Sequence, residues 1–337
     1  MASCRLELMG LYDNAAYRRH ARGLLQKAKA QGVLSGLNIP NKKPGEPLLE
    51  WAATLCQEIP SCEVTVHYSL KHQRSGTDPA EAFLRWCEEA MSVGVKRVLL
   101  VTGPRGPRQD AVWVLQRLAA RQVRLDGLRL GVAFNACLPT DTERETERQR
   151  LVQKLQTGLV RDVWLNTGVD EELLGEGLTY LEALQKELGF SLQTFASAML
   201  PSEAQLVQMR ERPWNGVQFS EEFLSSLSGM GRATGKALAV FRQHKVEPII
   251  ESKVRTPDDL SKLEALLAGN HERLNSLLGE DYCQPSPSKD AKAPSMEAVS
   301  AGAKGRFTRP QQAATDDVPR SFAPPRRRWE KARGREV

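Results

Sequence analysis

The feature that most constrains this chain is a rhythm of short apolar stretches of strand length, each followed by a longer stretch with apolar residues at helical spacing. "RLELMG" (5–10) alternates, and "AAYRRHARGLLQKAKAQG" behind it keeps the helical period up to a closing Gly32. The pattern returns as "VLSGLNIP" with a helix from about Pro47, "CEVTVHYS" with a helix from Asp78 and Pro79, and "VKRVLLVTG" with a helix from Ala111 to Arg121. It continues as "LRLGVAFN" with the charged helix "DTERETERQRLVQKLQTG", and "RDVWLNTG" with "EELLGEGLTYLEALQKELG". "SLQTFASAML" is followed by a helix from Ser202, the irregular "RPWNGVQFS" and the long helix "GRATGKALAVFRQHK", and "EPIIESKV" is the eighth strand.

Eight such units predict an α/β chain closed into a (β/α)8 TIM barrel over residues 1–280. A doubly wound open sheet shares the alternation, but its glycine fingerprint belongs after the first strand, where "LMGLYDNA" lacks it. "GMGRATG" (229–235) follows "EEFLSSLS", which is no strand, so Gly229 and Gly231 are read as shaping a loop before a helix. Leucines at helical spacing in residues 256–279 add one or two helices that close the barrel or cover a subunit contact.

Charge divides the chain once. Residues 284–337 hold 12 Lys and Arg against 6 Asp and Glu, a surplus equal to that of the whole chain, which leaves the body neutral. The barrel is therefore not expected to bind nucleic acid. Residues 281–337, rich in Pro, Ser and Arg, read as a disordered basic tail whose partner is open, with Arg326, Arg327 and Arg328 beside Trp329 as its contact candidate. No apolar run has the length of a membrane span and the N-terminus has no signal core, so the expected address is the cytoplasm. The six cysteines have neither CxxC spacing nor histidines at zinc spacing, so they read as reduced core thiols and no metal is expected.

In a barrel of this kind function gathers where strands end. Those positions hold Glu7, Asn38, His67 with Lys71, Thr102 with Gly103 and Arg105, Asn135, Asn166 with Thr167, Ser197, and Glu251 with Lys253. Amides and hydroxyls dominate, a set suited to a large polar cofactor or a heterocycle. No GxSxG elbow occurs, and Cys137 has no histidine partner visible in the sequence.

"RLELMG", "LSGLNIP", "VTVHYSL", "VLLVTGPRG", "LGVAFNACLP", "DVWLNTGVD" and "FASAMLPS", in this order and spacing, resemble strands one to seven of the methylenetetrahydrofolate reductase family across residues 4–254. The resemblance is to a divergent, single-barrel member without the C-terminal regulatory domain. It implies an oxidoreductase of one-carbon metabolism, on the route to methionine, that reduces 5,10-methylenetetrahydrofolate to 5-methyltetrahydrofolate. NADH or NADPH is the reductant and FAD the implied carrier, and a homo-oligomer is compatible with it.

By the same resemblance Glu7 is the acid that protonates the folate, and its pKa is expected to be raised by desolvation. Asn38 and His67 contact the flavin, Phe134, Asn135 and Lys154 lie on the cofactor side and Asn166 meets the substrate; the strand-end positions add Thr102, Gly103 and Arg105 to the cofactor side and Ser197 to the substrate side. The turn after strand four departs from the family, with Thr102, Gly103 and Pro104 where Arg-Gly-Asp is usual, so the aspartate beside the flavin is missing. That departure keeps a second expectation open: a catalytically inactive or flavin-free barrel acting as a pterin-binding, nucleotide-binding or regulatory protein.

Overall fold

A computed structural model describes residues 3–8, 15–73, 76–103, 109–168, 170–214 and 217–279, with the side chains of residues 15–20 excepted. Eight parallel strands close on themselves in sequence order. They are β1 (Cys4–Glu7), β2 (Leu34–Ile39), β3 (Glu63–Ser69), β4 (Arg97–Val101), β5 (Arg129–Phe134), β6 (Val160–Leu165), β7 (Gln193–Ala198) and β8 (Glu247–Ile250). Closure is made by β1 against β8, with Leu6 abreast of Ile250. The expected TIM barrel is the fold. The basic tail lies outside the described residues.

The helices that cover it are α1 (Ala15–Ala30), α2 (Leu48–Glu58), α3 (Pro79–Ser92), α4 (Ala111–Ala120), α5 (Asp141–Leu155) and α6 (Glu171–Leu188). After β7 come α7 (Glu203–Glu211), α8 (Glu221–Ser225) and α9 (Leu227–Gln243), and after β8 come α10 (Pro257–Leu267) and α11 (His271–Leu278). Local chemistry marks many of their starts. Asp78 caps α3 ahead of Pro79, and Thr140 with Glu143 and Thr256 with Asp259 form reciprocal capping boxes on α5 and α10. The 256–279 stretch is thus two helices, which pack on α9 and α1.

Two sequence expectations are corrected. The eighth strand stops at Ile250, because Glu251 and Ser252 turn into hydrogen bonds with the β7 side of the barrel: Ser252 Oγ accepts from Leu200 N at 2.8 Å, and Glu251 O accepts from Gln205 Nε2 at 3.1 Å. Gly229 and Gly231 lie within the first turns of α9 and not in a loop. A Cβ on Gly229 would stand 2.2 Å from Glu222 O, so this glycine lets α8 approach α9.

Strand alternation sorts the side chains into two populations. Outward residues such as Leu37, Val66, Val98, Leu100, Val132 and Val163 join the main core beneath the helices. Inward, a separate cluster of Leu99, Trp164, Phe195 and Ile249 forms a middle layer, with Trp164 and Phe195 stacked at 4.0 Å. A Cβ on Gly131 would stand 2.3 Å from Trp164 Nε1, so the glycine admits the indole.

Below that layer the barrel interior is ionic. Arg5 donates to Glu63 Oε1 at 2.9 Å, Thr65 Oγ1 at 2.8 Å and Asn38 Oδ1 at 3.0 Å. Arg97 donates to both oxygens of Glu63, at 2.8 and 3.2 Å, to Gln193 Oε1 at 3.0 Å, and to Asp162. Arg129 completes the partners of Asp162, which is wholly buried. Gly36 leaves room for the Arg5 guanidinium, since a Cβ there would lie 2.3 Å from its Cζ. The guanidinium carbons of Arg5 and Arg97 stand 5.4 and 4.9 Å from the Phe195 ring centre, joining the ionic floor to the aromatic layer.

Removing one partner of a buried ion pair strands the other, at a cost of roughly 3–5 kcal/mol, whereas exposed pairs are worth about 1 kcal/mol or less. Asp162→Asn is therefore expected to lower urea-unfolding stability by about 3 kcal/mol or more. Glu58→Gln, which breaks the exposed Arg22–Glu58 pair, should cost about 1 kcal/mol or less. Equal losses for the two variants would show that the ionic floor does not hold the barrel.

Candidate active site

The floor and the aromatic layer close the barrel from below, and a cavity of about 610 Å³ opens at the carboxyl ends of the strands. That size suits a small ligand or the head of a larger one. Ten residues expected from the sequence line it: Glu7, Asn38, His67, Thr102, Gly103, Phe134, Asn135, Lys154, Asn166 and Ser197. Arg105 lies outside the described residues.

They differ in what they present. Glu7, at the end of β1, is 4% exposed, and Lys42 Nζ from the loop after β2 stands 3.0 Å from its Oε1. Burial opposes the Lys42 ammonium, but the charges of Glu7 and Glu251 outweigh it and hold its pKa above the usual lysine value. Asn38 gives its Oδ1 to Arg5, while its Nδ2 is buried without a hydrogen-bond partner among the described residues. His67 Nε2 is also buried and unpartnered. Burial pushes the imidazole down to about 4, against the pull of Glu7, so His67 is neutral at physiological pH.

Thr102 Oγ1 accepts from Ala111 N at 3.0 Å and so ties the end of β4 to the start of α4. Gly103 is in the left-handed region at φ 83°, with Lys71 close enough that a Cβ would meet it at 3.0 Å. The Phe134 ring packs outward beside Gly177 and Tyr180. Asn135 Oδ1 accepts from Cys137 N, and the exposed Asn166 accepts from its neighbour Thr167 N through Oδ1. Ser197 donates to Glu251.

Lys154 is buried, and its ammonium donates to Ala133 O at 2.8 Å and Glu147 Oε1 at 3.3 Å. Burial lowers its pKa, and Glu147 only partly restores it. Arg150 donates to Asp110 Oδ2 at 2.7 Å and also faces Glu147. Burial pushes the Asp110 carboxyl up, but hydrogen bonds from Trp113 N and Arg150 outweigh it and hold the group below its ordinary value.

The sequence reading passed over Lys42, Glu147, Arg150, Trp164 and Trp214 as cavity residues, and it left Glu251 among the strand ends without a role. One signal was visible: Glu147, Arg150 and Lys154 fall at helical spacing on α5, a charged stripe that would face one neighbour. Lys42 gave no such signal, because its target is set by how the loop folds over the barrel mouth.

Among the described residues no group of three or more His, Cys, Asp or Glu could hold a metal ion, and no helix is long and apolar enough to cross a membrane. The described cysteines are unpaired, and burial pushes the Cys137 thiol up to about 12. The fold and cavity define a (β/α)8 barrel with a carboxyl-rich, amide-lined site at its carboxyl face. A scan against models of known protein families finds no match, and no curated protein matches the chain.

The half-buried His67, whose Nε2 is enclosed, carries a pH signature. The unfolded chain binds its proton near the ordinary value of 6.5 and the folded chain only near 4, so the unfolded state holds more protons between these limits. This contribution to stability is present above about 6.5 and is lost as pH falls toward about 4. Proton NMR of the imidazoles should show one that stays neutral from pH 8 to pH 5, and His67→Gln should flatten part of the acid loss of stability. A His67 resonance that titrates near 6.5 would mean that water solvates the ring freely.

Proposed function

We propose that this chain is a reductase of the methylenetetrahydrofolate type, taking a nicotinamide reductant and reducing a methylene bridge between two nitrogens to a methyl group. The observation that carries the reading is the carboxyl pair Glu7 and Glu251 at the barrel mouth, with Lys42 over it, in a cavity whose lining matches the residues drawn from the family resemblance. The reaction consumes one hydride and one proton: the proton goes to a ring nitrogen, a carbon–nitrogen bond breaks, and the hydride reaches the resulting iminium carbon. A carboxyl at the mouth donates the proton, and a fixed carboxylate beside it steadies the cation that forms. The stacked Trp164 and Phe195 close the site from below, which limits access of water to the reacting bond.

FAD fits the site in part. Asn38 Nδ2 and His67 Nε2, both without a partner among the described residues, suit the polar edge of a flavin ring, and these two side chains would hold it. Bound there, flavin would supply a carrier that takes hydride from the nicotinamide and passes it on. A second reading rests on a different observation: Lys154 and Arg150, the cations that α5 brings to the cavity, are already paired with Glu147 and Asp110. That pairing favours a flavin-free barrel that binds a pterin, whose ring system carries no phosphate.

The test is anaerobic oxidation of NADH and of NADPH by the full chain with 5,10-methylenetetrahydrofolate, with and without FAD, together with the absorption spectrum of the protein. Turnover in the wild type and a loss of about 100-fold or more in Glu7→Gln with folding retained are expected, the usual scale for a positioned charge or acid. No turnover under any of these conditions would overturn the reductase reading, and tight pterin binding without turnover would establish the second one.

A further inference from the structure

The reading of the site as a reductase leaves open which of its two carboxyls holds the proton, and the family resemblance points to Glu7. The geometry points elsewhere: we propose that Glu251 is the proton-carrying carboxyl of this site and that Glu7, pinned by Lys42, is its fixed negative charge.

The argument begins with closure of the barrel. Leu6 and Ile250 are abreast across the β1–β8 ladder, so the residues that follow them, Glu7 and Glu251, emerge side by side at the mouth. Two carboxylates in such a place repel, and one proton shared between them relieves the repulsion. Their surroundings decide which one takes it. Lys42 Nζ stands 3.0 Å from Glu7 Oε1, an ion-pair distance at which the charges attract although the angles are not those of a hydrogen bond. No ion pair with Glu251 is found among the described residues, and the group bonded to its carboxyl is the Ser197 hydroxyl, which can accept from a protonated acid as readily as it donates to a carboxylate. The backbone of Glu251 is held at both ends of its peptide: its N–H donates to Ala198 O at 2.9 Å and its carbonyl accepts from Gln205 Nε2.

Among the described residues the other groups acting on this carboxyl are Glu7 from β1, Lys42 from the loop after β2 and Thr167 after β6, and His67 from β3 shares the cavity with it. His67 is neutral above about 4, so it does not compete for the proton near neutrality. Burial first, and the charge of Glu7 second, push the Glu251 carboxyl up to about 7, with Lys42, Ser197 and Thr167 working in the opposite direction. A carboxyl in that range exists in both forms at physiological pH, as a proton donor must. It also lines the cavity, which places its proton where a bound heterocycle can take it.

The proposal rests on the reductase reading for its substrate but not for its test. In carbon NMR of the full chain labelled at glutamate carboxyls, without substrate, one signal should titrate near pH 7. That signal should vanish in Glu251→Gln, move to lower pH in Glu7→Gln, where the neighbouring charge is gone, and move to higher pH in Lys42→Met. Glu251→Asp should keep a raised titration. In turnover, the wild-type rate should fall on the alkaline side with the same midpoint, and Glu251→Gln should lose about 100-fold in kcat together with that limb. A near-neutral signal that survives in Glu251→Gln and disappears in Glu7→Gln would overturn the assignment in favour of Glu7, and no carboxyl titrating above pH 6 would overturn it outright. A protein that shows the expected titrations but no turnover would refute the reductase reading while supporting the placement of the proton.

Discussion

Two guanidinium groups inside the barrel organise the rest of the molecule. Arg5 and Arg97 come from strands separated by β2 and β3, yet both bind Glu63, and Arg97 goes on to Asp162 across the interior. Charges enclosed this way are tolerated only when nearly every donor meets an acceptor, and such a set exists at one register of the strands. Slipping a strand by one residue would turn these side chains outward into the apolar layer beneath the helices. The ionic floor and the outer core therefore impose the same register from opposite faces of the sheet.

The floor also shapes the site. Because the lower barrel is filled by arginines and carboxylates and the middle by Leu99, Trp164, Phe195 and Ile249, the open space is confined to the carboxyl ends of the strands. Asn38 links the two ends, giving one side of its amide to Arg5 below and leaving the other beside the cavity. At the β1–β8 side of the mouth a few groups balance one another: Glu7, Glu251, Lys42 reaching over the rim with 53% of its side chain still exposed, and a histidine whose burial disfavours its charged form. A change in any one of them shifts the protonation of the others, as expected for groups in a weakly screened enclosure.

Much of this was legible in the chain. The strand pattern yielded all eight strands because each is short, apolar and bounded by turn residues, and the helix starts read at Asp78 and Ser202 are capping residues in the fold. The strand-end rule then placed Glu7, Asn38, His67, Thr102, Gly103, Asn135, Asn166, Ser197 and Glu251 on one cavity without knowledge of any contact, and the family resemblance added Phe134 and Lys154. What stayed hidden was charge state. Lys154 looks in sequence like one more lysine on a charged helix, and only the packing of α5 against β5 removes it from water and hands it to Ala133 O. Glu7 was expected to hold a proton because it sits at a barrel mouth, an argument that applies equally to Glu251.

The sequence by itself determined the order of elements, the inward and outward faces of each strand and the ring of polar residues at their ends, because periodicities of two and 3.6 are local properties of the backbone. The tertiary structure alone decided which charges meet. Glu7 and Glu251 lie near opposite ends of the described chain and become neighbours only when β8 closes on β1, and Lys42 selects one of them by the path of its loop. Proton affinity depends on burial and on charges within a few ångströms. Neither quantity exists until the barrel is shut.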